Sequence, residues 1–146
     1  MKSDYHLFKY GIRPEWEDVQ NKYGGKWSYM FKEKRSVPID ELWLHVMLAA
    51  IGETLEKEGD DEVMGVVVNV RRVYYRVGVW TRSIGGALGL GPGASNRSAE
   101  QRVEILMNIG KMFKEVLRLP ARELVEFSGH TESARSGNRA TARFAV

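Results

Sequence analysis

The chain has 146 residues, a length typical of one globular domain, and its formal charge of +3 at pH 7 is only mildly basic. Hydrophobic residues make up 43% of the sequence, too many for a disordered chain at this net charge. Because the chain has no cysteine, disulfides, cysteine nucleophiles and thiolate metal sites are excluded. No long apolar segment follows Met1, so we expect a soluble protein of the cytoplasm, with the nucleus as a second location.

Residues 14–27 read PEWEDVQNKYGGKW and contain a tryptophan that fits no helix or strand period. Two interpretations of Trp16 stay open from the residues alone. It is either a loop anchor at the edge of the core or a surface on which a nucleobase stacks. In the second case, Glu17 beside it accepts two parallel N–H bonds, and guanine presents such a donor pair on its Watson–Crick edge.

The first strand and the first helix are predicted from their periodicity. Aromatic residues alternate with other residues over 26–32, which favours a strand. Helical spacing then runs from Asp40 to about Lys57; Asp40 can cap or charge the helix start, and Gly59 is a plausible stop. The apolar arc of this helix is wider than contact with one sheet needs, and it consists of two rows: Trp43, Met47 and Ala50, and beside them Leu44, Leu48, Ile51 and Leu55.

Two further strands are predicted over 62–72 and 76–81, separated by a short turn. Alternation in the first strand predicts a core face of Met64, Val66, Val68 and Val70, with Val63, Gly65, Val67, Asn69 and Arg71 opposite. In the second strand, Val77 and Val79 face one way and Arg76, Gly78 and Trp80 the other. The two strands together therefore predict a mixed face of cations, amide and tryptophan.

The rest of the chain predicts a loop, a helix and a strand. The Gly-rich segment 82–97 has G-x-G-x-x-A spacing, but Pro92 lacks a backbone donor and the preceding strands read as a hairpin, so a surface loop is favoured over a dinucleotide site. The S-x-x-Q capping box at Ser98 starts a helix that ends before Pro120, and 124–128 reads as a last strand. The sum is an α+β fold, an antiparallel sheet with helices on one face.

No catalytic motif and no metal-ligand spacing is visible in the sequence. His6, His45 and His130 are far apart along the chain, and we interpret each as a surface or core histidine. The prediction is a non-enzymatic protein without cofactor or metal. A nucleotide-processing enzyme that uses the Gly-rich loop is the least favoured alternative.

Trp16, Glu17 and the mixed strand face together describe a pocket for a positively charged guanine nucleotide. Stacking on an indole strengthens when the base is cationic, and Trp80 is placed to contact the far side of such a base. Arg71 and Arg76 are suited to hold phosphates.

Five segments, in order, resemble the eukaryotic translation initiation factor 4E family, the mRNA cap-binding proteins. They read LFKYGIRPEWEDVQNKYGGKWS, ELWLHVMLAAIGE, MGVVVNVRRVYYRVGVWT, IGKMFKEVLRLP and SGNRATARFAV. The resemblance implies a curved antiparallel sheet with helices on its convex face. It also implies a monomer that holds the 7-methylguanosine cap on the concave face and has no contact with membranes.

The resemblance assigns a role to each candidate residue of the pocket. Trp16 would stack on the methylated guanine, Glu17 would accept from its N1–H and 2-amino groups, and Trp80 would meet the N7-methyl group. The triphosphate would be bound by Arg71, Arg76 and Lys26.

The resemblance also implies a partner site and a departure from the family. Leu44 and Leu48 would receive a helical Y-x-x-x-x-L-φ peptide of a 4G-like scaffold or a 4E-binding protein, with His45 where an acidic residue is common. The family's N-terminal portion, which carries a second stacking tryptophan and part of the partner site, does not precede Met1. We therefore expect one cap-binding domain over 1–146, truncated at its N-terminus and carrying 82–97 as an insertion. The alternative is a truncated member with weak or no cap binding that acts as a protein-interaction surface.

Overall fold

The computed structural model describes residues 2–15, 24–82, 97–130 and 144–146. Within these ranges the chain forms β1 (Ser3–Phe8), β2 (Gly25–Phe31), α1 (Ile39–Ile51), β3 (Val63–Val70), β4 (Tyr75–Thr81), α2 (Ala99–Val116), β5 (Glu126–Gly129) and β6 (Phe144–Ala145). The strands form one antiparallel sheet in the order β1-β3-β4-β2-β5-β6, which confirms the predicted α+β fold. No helix in the described ranges has the length and apolarity that crossing a membrane requires.

Both helices pack on the same face of the sheet, and the core lies between them and the strands. Every second residue of the central strands points into this core, as the alternation predicted. The fully buried core residues include Trp27, Val66, Val77, Val79 and Phe127 of the sheet, Val46 of α1, and Leu106, Ile109 and Phe113 of α2. The opposite side of the sheet, the open face, carries in strand order Asp4, His6 and Phe8; Gly65, Val67 and Asn69; Arg76, Gly78 and Trp80; Lys26, Ser28 and Met30; and Glu126 and Ser128.

The first helix is shorter than predicted. It ends at Ile51, not near Lys57, and the predicted stop at Gly59 is wrong. The backbone leaves the helix because Glu53 adopts a left-handed φ of 55°. This turn brings Leu55, which is 1% exposed, back into the core, and burial of that side chain stabilises the early end of the helix.

The buried stripe of α1 differs from both predicted rows. Leu42, Val46 and Ala49 are its buried residues, while Trp43 and Ala50 of the first predicted row only partly cover the core. The helix begins after Pro38 without a side-chain cap. Asp40 was predicted either to cap the helix or to place a negative charge at its start. It lies in the first turn and so has the second role.

Two strands were not predicted, and one strand face was partly wrong. β1 and β6 are short edge segments, and β5 is followed by β6, so 124–128 is not the last strand. A bulge between Val63 and Gly65 shifts the register of β3. Because of it, Val63 joins the core from a position that strict alternation assigns to the open face.

Candidate functional site

Strand pairing arranges the open-face side chains in rows across the sheet. One row runs Phe8, Gly65, Trp80, Lys26, Ser128, because each of these residues lies opposite the next on the neighbouring strand. A second row runs Asp4, Asn69, Arg76, Met30. The rows bring Trp80, Arg76 and Lys26, three of the predicted site residues, onto one surface.

Trp80 is held between two other aromatic rings. The Phe8 ring meets it edge-on, with centroids 5.2 Å apart and planes at 85°, and the His130 ring lies 4.2 Å from it at 51°. Phe8 reaches this position because Gly65 has no side chain; a Cβ there would overlap the Phe8 ring. Trp80 remains half-buried, so the open face presents an indole whose orientation is set from both sides.

His130 is a neutral residue at the back of this cluster. Its side chain is 3% exposed, and its Nε2 has no hydrogen-bond partner among the described residues. Burial, and secondarily the charge of Lys26, lowers its pKa to about 3. The backbone N–H of His130 donates to the carbonyl oxygen of Gly24 at 3.0 Å, which ties this ring to the start of β2.

Lys26 and Arg76 form a cationic pair beside the tryptophan. Lys26 lies opposite Trp80 on the neighbouring strand, and burial, with a further contribution from Arg76, lowers the pKa of its ammonium group. The Arg76 guanidinium lies 5.4 Å from the centre of the Tyr74 ring. Because the two like charges repel, an anion placed between them would be favoured electrostatically.

Arg71, directly after β3, is anchored at the rim of the open face. Its Nη1 donates to Asp4 Oδ1 at 2.6 Å and to the carbonyl oxygens of Val70 and Ser3 at 3.0 and 3.3 Å. Asn69 Nδ2 also donates to Asp4, at 2.8 Å, and these two hydrogen bonds lower the pKa of that carboxyl. The guanidinium is thus fixed next to the row that contains Arg76.

The chain matches a known protein family over nearly its whole length. Residues 1–144 match the model of the family "Eukaryotic initiation factor 4E". The chain belongs to the initiation factor 4E family. Eukaryotic translation initiation factor 4E-1 of Schizosaccharomyces pombe is 49% identical to it over 147 residues, and initiation factor 4E of Saccharomyces cerevisiae is 39% identical over 133 residues. These alignments cover 100% and 91% of this chain but only 60% and 54% of the relatives, so the chain spans somewhat more than half of their length.

Solved structures of the family share the fold. Caenorhabditis elegans eIF4E-3, in complex with the 4E-binding protein Mextli and a cap analogue, superposes with a TM-score of 0.76 at 31% identity. Ascaris suum eIF4E-3 in complex with the m7G cap gives a TM-score of 0.73 at 33% identity. Each match covers 98% of this chain and 68% of the solved chain.

The predicted partner residues of this 4E family member lie on the helix side of the molecule. Leu44 is 49% exposed and Leu48 is 56% exposed, although both are large apolar side chains. A cavity of about 380 Å³ adjoins Leu48 between α1 and α2, and its lining also includes His45 and Arg118. The open face and this apolar helix surface therefore lie on opposite sides of the sheet.

The sequence predicted part of the site and missed its supporting residues. Trp16 and Glu17, predicted to contact guanine, lie outside the described residues, as does most of the Gly-rich loop. Phe8 and Asp4 were missed because β1 was not predicted, although their alternation with Tyr5 and Leu7 is a weak strand signal. For His130 the core interpretation is correct, but no local pattern in the sequence connects it to Trp80.

Proposed function

We propose that this chain binds the 7-methylguanosine cap of mRNA and serves in translation initiation as a non-enzymatic binding module. The observation that supports this most is the row in which Trp80 and Lys26 lie opposite each other, with Arg76 on the same face of β4, two rows along, beyond Gly78. A half-buried indole beside two cations matches the chemistry of a cationic base carrying phosphates. A cytoplasmic location, where translation takes place, belongs to the same proposal.

The base would be recognised from two directions. Trp16 stacks on the guanine and Glu17 accepts from its N1–H and 2-amino groups, because a carboxylate is the acceptor that this donor pair requires. Trp80 meets the N7-methyl side, and the Phe8 and His130 rings hold its indole in place. The positive charge on the methylated base strengthens its attraction to the indole rings, and GTP lacks this charge.

The triphosphate would be bound by the three cations of the open face and its rim. Lys26 and Arg76 lie close enough for Arg76 to lower the pKa of Lys26, so a phosphate near both relieves their repulsion. Arg71 is held by Asp4 through its Nη1, which presets the guanidinium geometry.

Tryptophan fluorescence of the intact protein tests the cap-binding proposal. We expect 7-methyl-GTP to quench the emission and GTP to bind much more weakly. Trp16→Ala and Glu17→Ala should reduce the affinity strongly, and Arg76→Ala should weaken it about tenfold, the loss expected for one charge-assisted phosphate contact. Arg72→Ala, at an exposed arginine in the turn between β3 and β4, is the matched control and should bind as the parent does. Equal affinity for GTP and 7-methyl-GTP would contradict cap recognition.

A second part of the proposal concerns the helix side of the molecule. Leu44 and Leu48 would receive a helical Y-x-x-x-x-L-φ peptide of a 4G-like scaffold or a 4E-binding protein, because exposed leucines one turn apart form a typical helix-docking stripe. The alternative is a truncated member that acts only through this helix surface and binds cap weakly or not at all. Retention of the chain on a cap resin, together with cooperative thermal unfolding, would exclude that alternative.

A further inference from the structure

The strand β1 lies at one edge of the sheet. It pairs with β3, and among the described residues no strand lies on its other side. The Lys9 N–H donates to the Met64 carbonyl oxygen at 3.0 Å, so Lys9 and every second residue before it turn their backbone groups toward β3. The residues between them turn their N–H and C=O groups outward, away from the sheet; these are Asp4, His6 and Phe8.

The edge of β1 lacks the features that usually prevent an open edge from pairing. The strand reads SDYHLF and contains no lysine, proline or glycine. Its six residues follow one another opposite β3 without a bulge. The negative charge of Asp4 is balanced by Arg71, whose Nη1 lies 2.6 Å from Asp4 Oδ1. The outward backbone groups of β1 are therefore a template for a further strand.

The side chains of β1 are complementary to an antiparallel copy of the same strand. Residues directly opposite each other share a face of the sheet, and with Tyr5 opposite Tyr5 of the second copy, Asp4 lies opposite His6 of that copy. The imidazole can donate to Asp4 Oδ2, since the Arg71 and Asn69 donors both bind Oδ1. Tyr5, which is 55% exposed on the helix side, gains an aromatic partner.

The two neighbouring registers are less complementary. A shift by two residues in one direction places the two Asp4 carboxylates opposite each other, which is repulsive. A shift in the other direction places the two His6 rings opposite each other and Asp4 opposite Phe8, so both contacts between Asp4 and His6 are lost. The pairing centred on Tyr5 is therefore favoured.

We propose that β1 is a docking edge for a second copy of this chain, with the two strands antiparallel and Tyr5 at the two-fold axis. A second copy is favoured over a foreign strand because the same residues supply both members of each Asp4–His6 pair. The two pairs would exchange about four backbone hydrogen bonds and join the sheets, with both open faces on the same side. Since the contact is one strand wide, we expect a dissociation constant on the order of 10–100 µM. The inference departs from the monomer that the family resemblance implies, and it does not rest on cap binding.

Cysteine crosslinking tests the pairing and its register. The chain has no cysteine, so a single introduced thiol reports on its own position. In the proposed dimer the two Tyr5 Cα atoms form a non-hydrogen-bonded pair about 4.5 Å apart, within the range of a disulfide. We expect Tyr5→Cys to crosslink at least about tenfold faster than Leu124→Cys, the matched control at an exposed position beside β5. Equal rates would overturn the inference, and faster crosslinking of His6→Cys would overturn the register.

Sedimentation of the unmodified chain measures association without an introduced thiol. The apparent mass should rise from that of one chain toward that of two as the concentration increases from about 5 to about 200 µM. The mass of one chain over this whole range would overturn the inference, since the edge would then be open or covered by another segment. Neither experiment involves a cap ligand, so its failure is distinct from a failure of the proposed function.

Two variants of His6 test the role of the outward edge in this association. His6→Pro removes an outward N–H but no hydrogen bond to β3, so it should unfold near the parent temperature and dimerise at least about tenfold more weakly. His6→Asp places carboxylates opposite each other and should weaken the dimer as well. Leu124→Asp introduces the same charge beside β5 and should dimerise as the parent does. A dimer that persists in both His6 variants would exclude β1 as the contact.

Discussion

The ring centroids of Trp80 and His130 lie 4.2 Å apart, although 49 residues of sequence separate the two. Trp80 belongs to β4, whereas His130 directly follows β5, and β2 runs between these strands. The contact forms because β2 pairs with both strands and so brings the two residues together, and the His130 ring is buried and neutral against the indole. The position of a predicted cap-binding residue therefore depends on a histidine that no local motif identifies.

Burial of His130 predicts a loss of stability toward acidic pH. Its pKa is about 3 in the folded protein and about 6.5 in an unfolded chain, so the unfolded state binds the proton first as the pH falls. The contribution of neutral His130 to the free energy of unfolding is complete above pH 6.5. It declines between pH 6.5 and 3, by at most about 1.4 kcal/mol per pH unit. Urea unfolding at pH 7 and pH 5 measures this loss.

The variant His130→Phe provides the control for that measurement. Phenylalanine keeps a ring against Trp80 but does not titrate, so the variant should lose less stability between pH 7 and pH 5 than the parent. Asp4 and Asp61 also have lowered pKa values, and their contributions to the free energy of unfolding are lost at still lower pH. Because both proteins contain these two residues, their contributions cancel in the comparison. Parallel pH dependences of the two proteins would show that His130 is not the group responsible.

Gly65→Ala should disturb Trp80 without touching it. The added methyl group overlaps the Phe8 ring, which must then leave its edge-on contact with the indole. We expect a stability loss of about 1–3 kcal/mol from overpacking, together with weaker quenching by 7-methyl-GTP. Gly78→Ala, on the same open face, is the matched control. Its Cβ would meet only the Trp27 carbonyl oxygen, at 3.3 Å. Equal cap affinities for the two variants would contradict the proposed support of Trp80 by Phe8.

Gly110→Ala should destabilise the fold even though alanine favours helices. The new Cβ would lie 2.6 Å from the Trp27 ring, which is fully buried and fixed by the hydrogen bond from its Nε1 to the Leu106 carbonyl oxygen at 2.9 Å. Overpacking costs about 1–3 kcal/mol, whereas the gain in helix propensity is about 1 kcal/mol, so the free energy of unfolding should fall. Thermal unfolding checks this. Lys111→Ala, at the next and exposed position, should change stability by less than about 0.5 kcal/mol.

Leu48→Asp should separate partner binding from folding. Leu48 is 56% exposed, so its replacement removes little buried area and the stability should change by less than about 1 kcal/mol. Binding of a Y-x-x-x-x-L-φ peptide, measured by calorimetry, should be lost because a carboxylate cannot be buried in an apolar interface without a partner. Cap affinity should stay unchanged. Peptide binding that survives this variant would place the partner elsewhere.

Leu42→Ala is the structural counterpart on the same helix. Leu42 is 7% exposed and belongs to the buried stripe of α1, so truncation should cost about 2–5 kcal/mol. Peptide binding per folded molecule should be retained. The contrast between the two leucines tests which stripe of α1 serves the core.

The predicted parts of the fold are those that a local pattern specifies. The capping box at Ser98 and Gln101 is present with both hydrogen bonds, because cap geometry depends only on residues a few positions apart. The alternation of Val77 and Val79 against Trp80 is likewise observed, since a strand in a two-sided sheet has a strict period of two. The same reasoning correctly placed Arg76 and Trp80 on one face.

The wrong predictions concern choices between competing local patterns. The apolar run of α1 continues past Ile51 on the helical period, but burial of Leu55 is achieved better by a turn than by another helical residue. The bulge at Val63 shifts the register of β3 for a similar reason, because pairing with β4 decides which valine faces the core. Neither outcome is readable from the segment alone.

The sequence by itself determined the α+β class, the central strands with their faces, the cap of α2 and the residue types suited to a cationic base and its phosphates. Tertiary structure alone decided that Phe8 and His130 hold Trp80, that Asp4 anchors Arg71, and that β1 lies at the edge of the sheet. The physical reason is the distance along the sequence over which each kind of interaction acts. Periodicity and capping act over a few residues, whereas ring contacts, ion pairs and sheet edges arise from strand pairings that join distant parts of the chain.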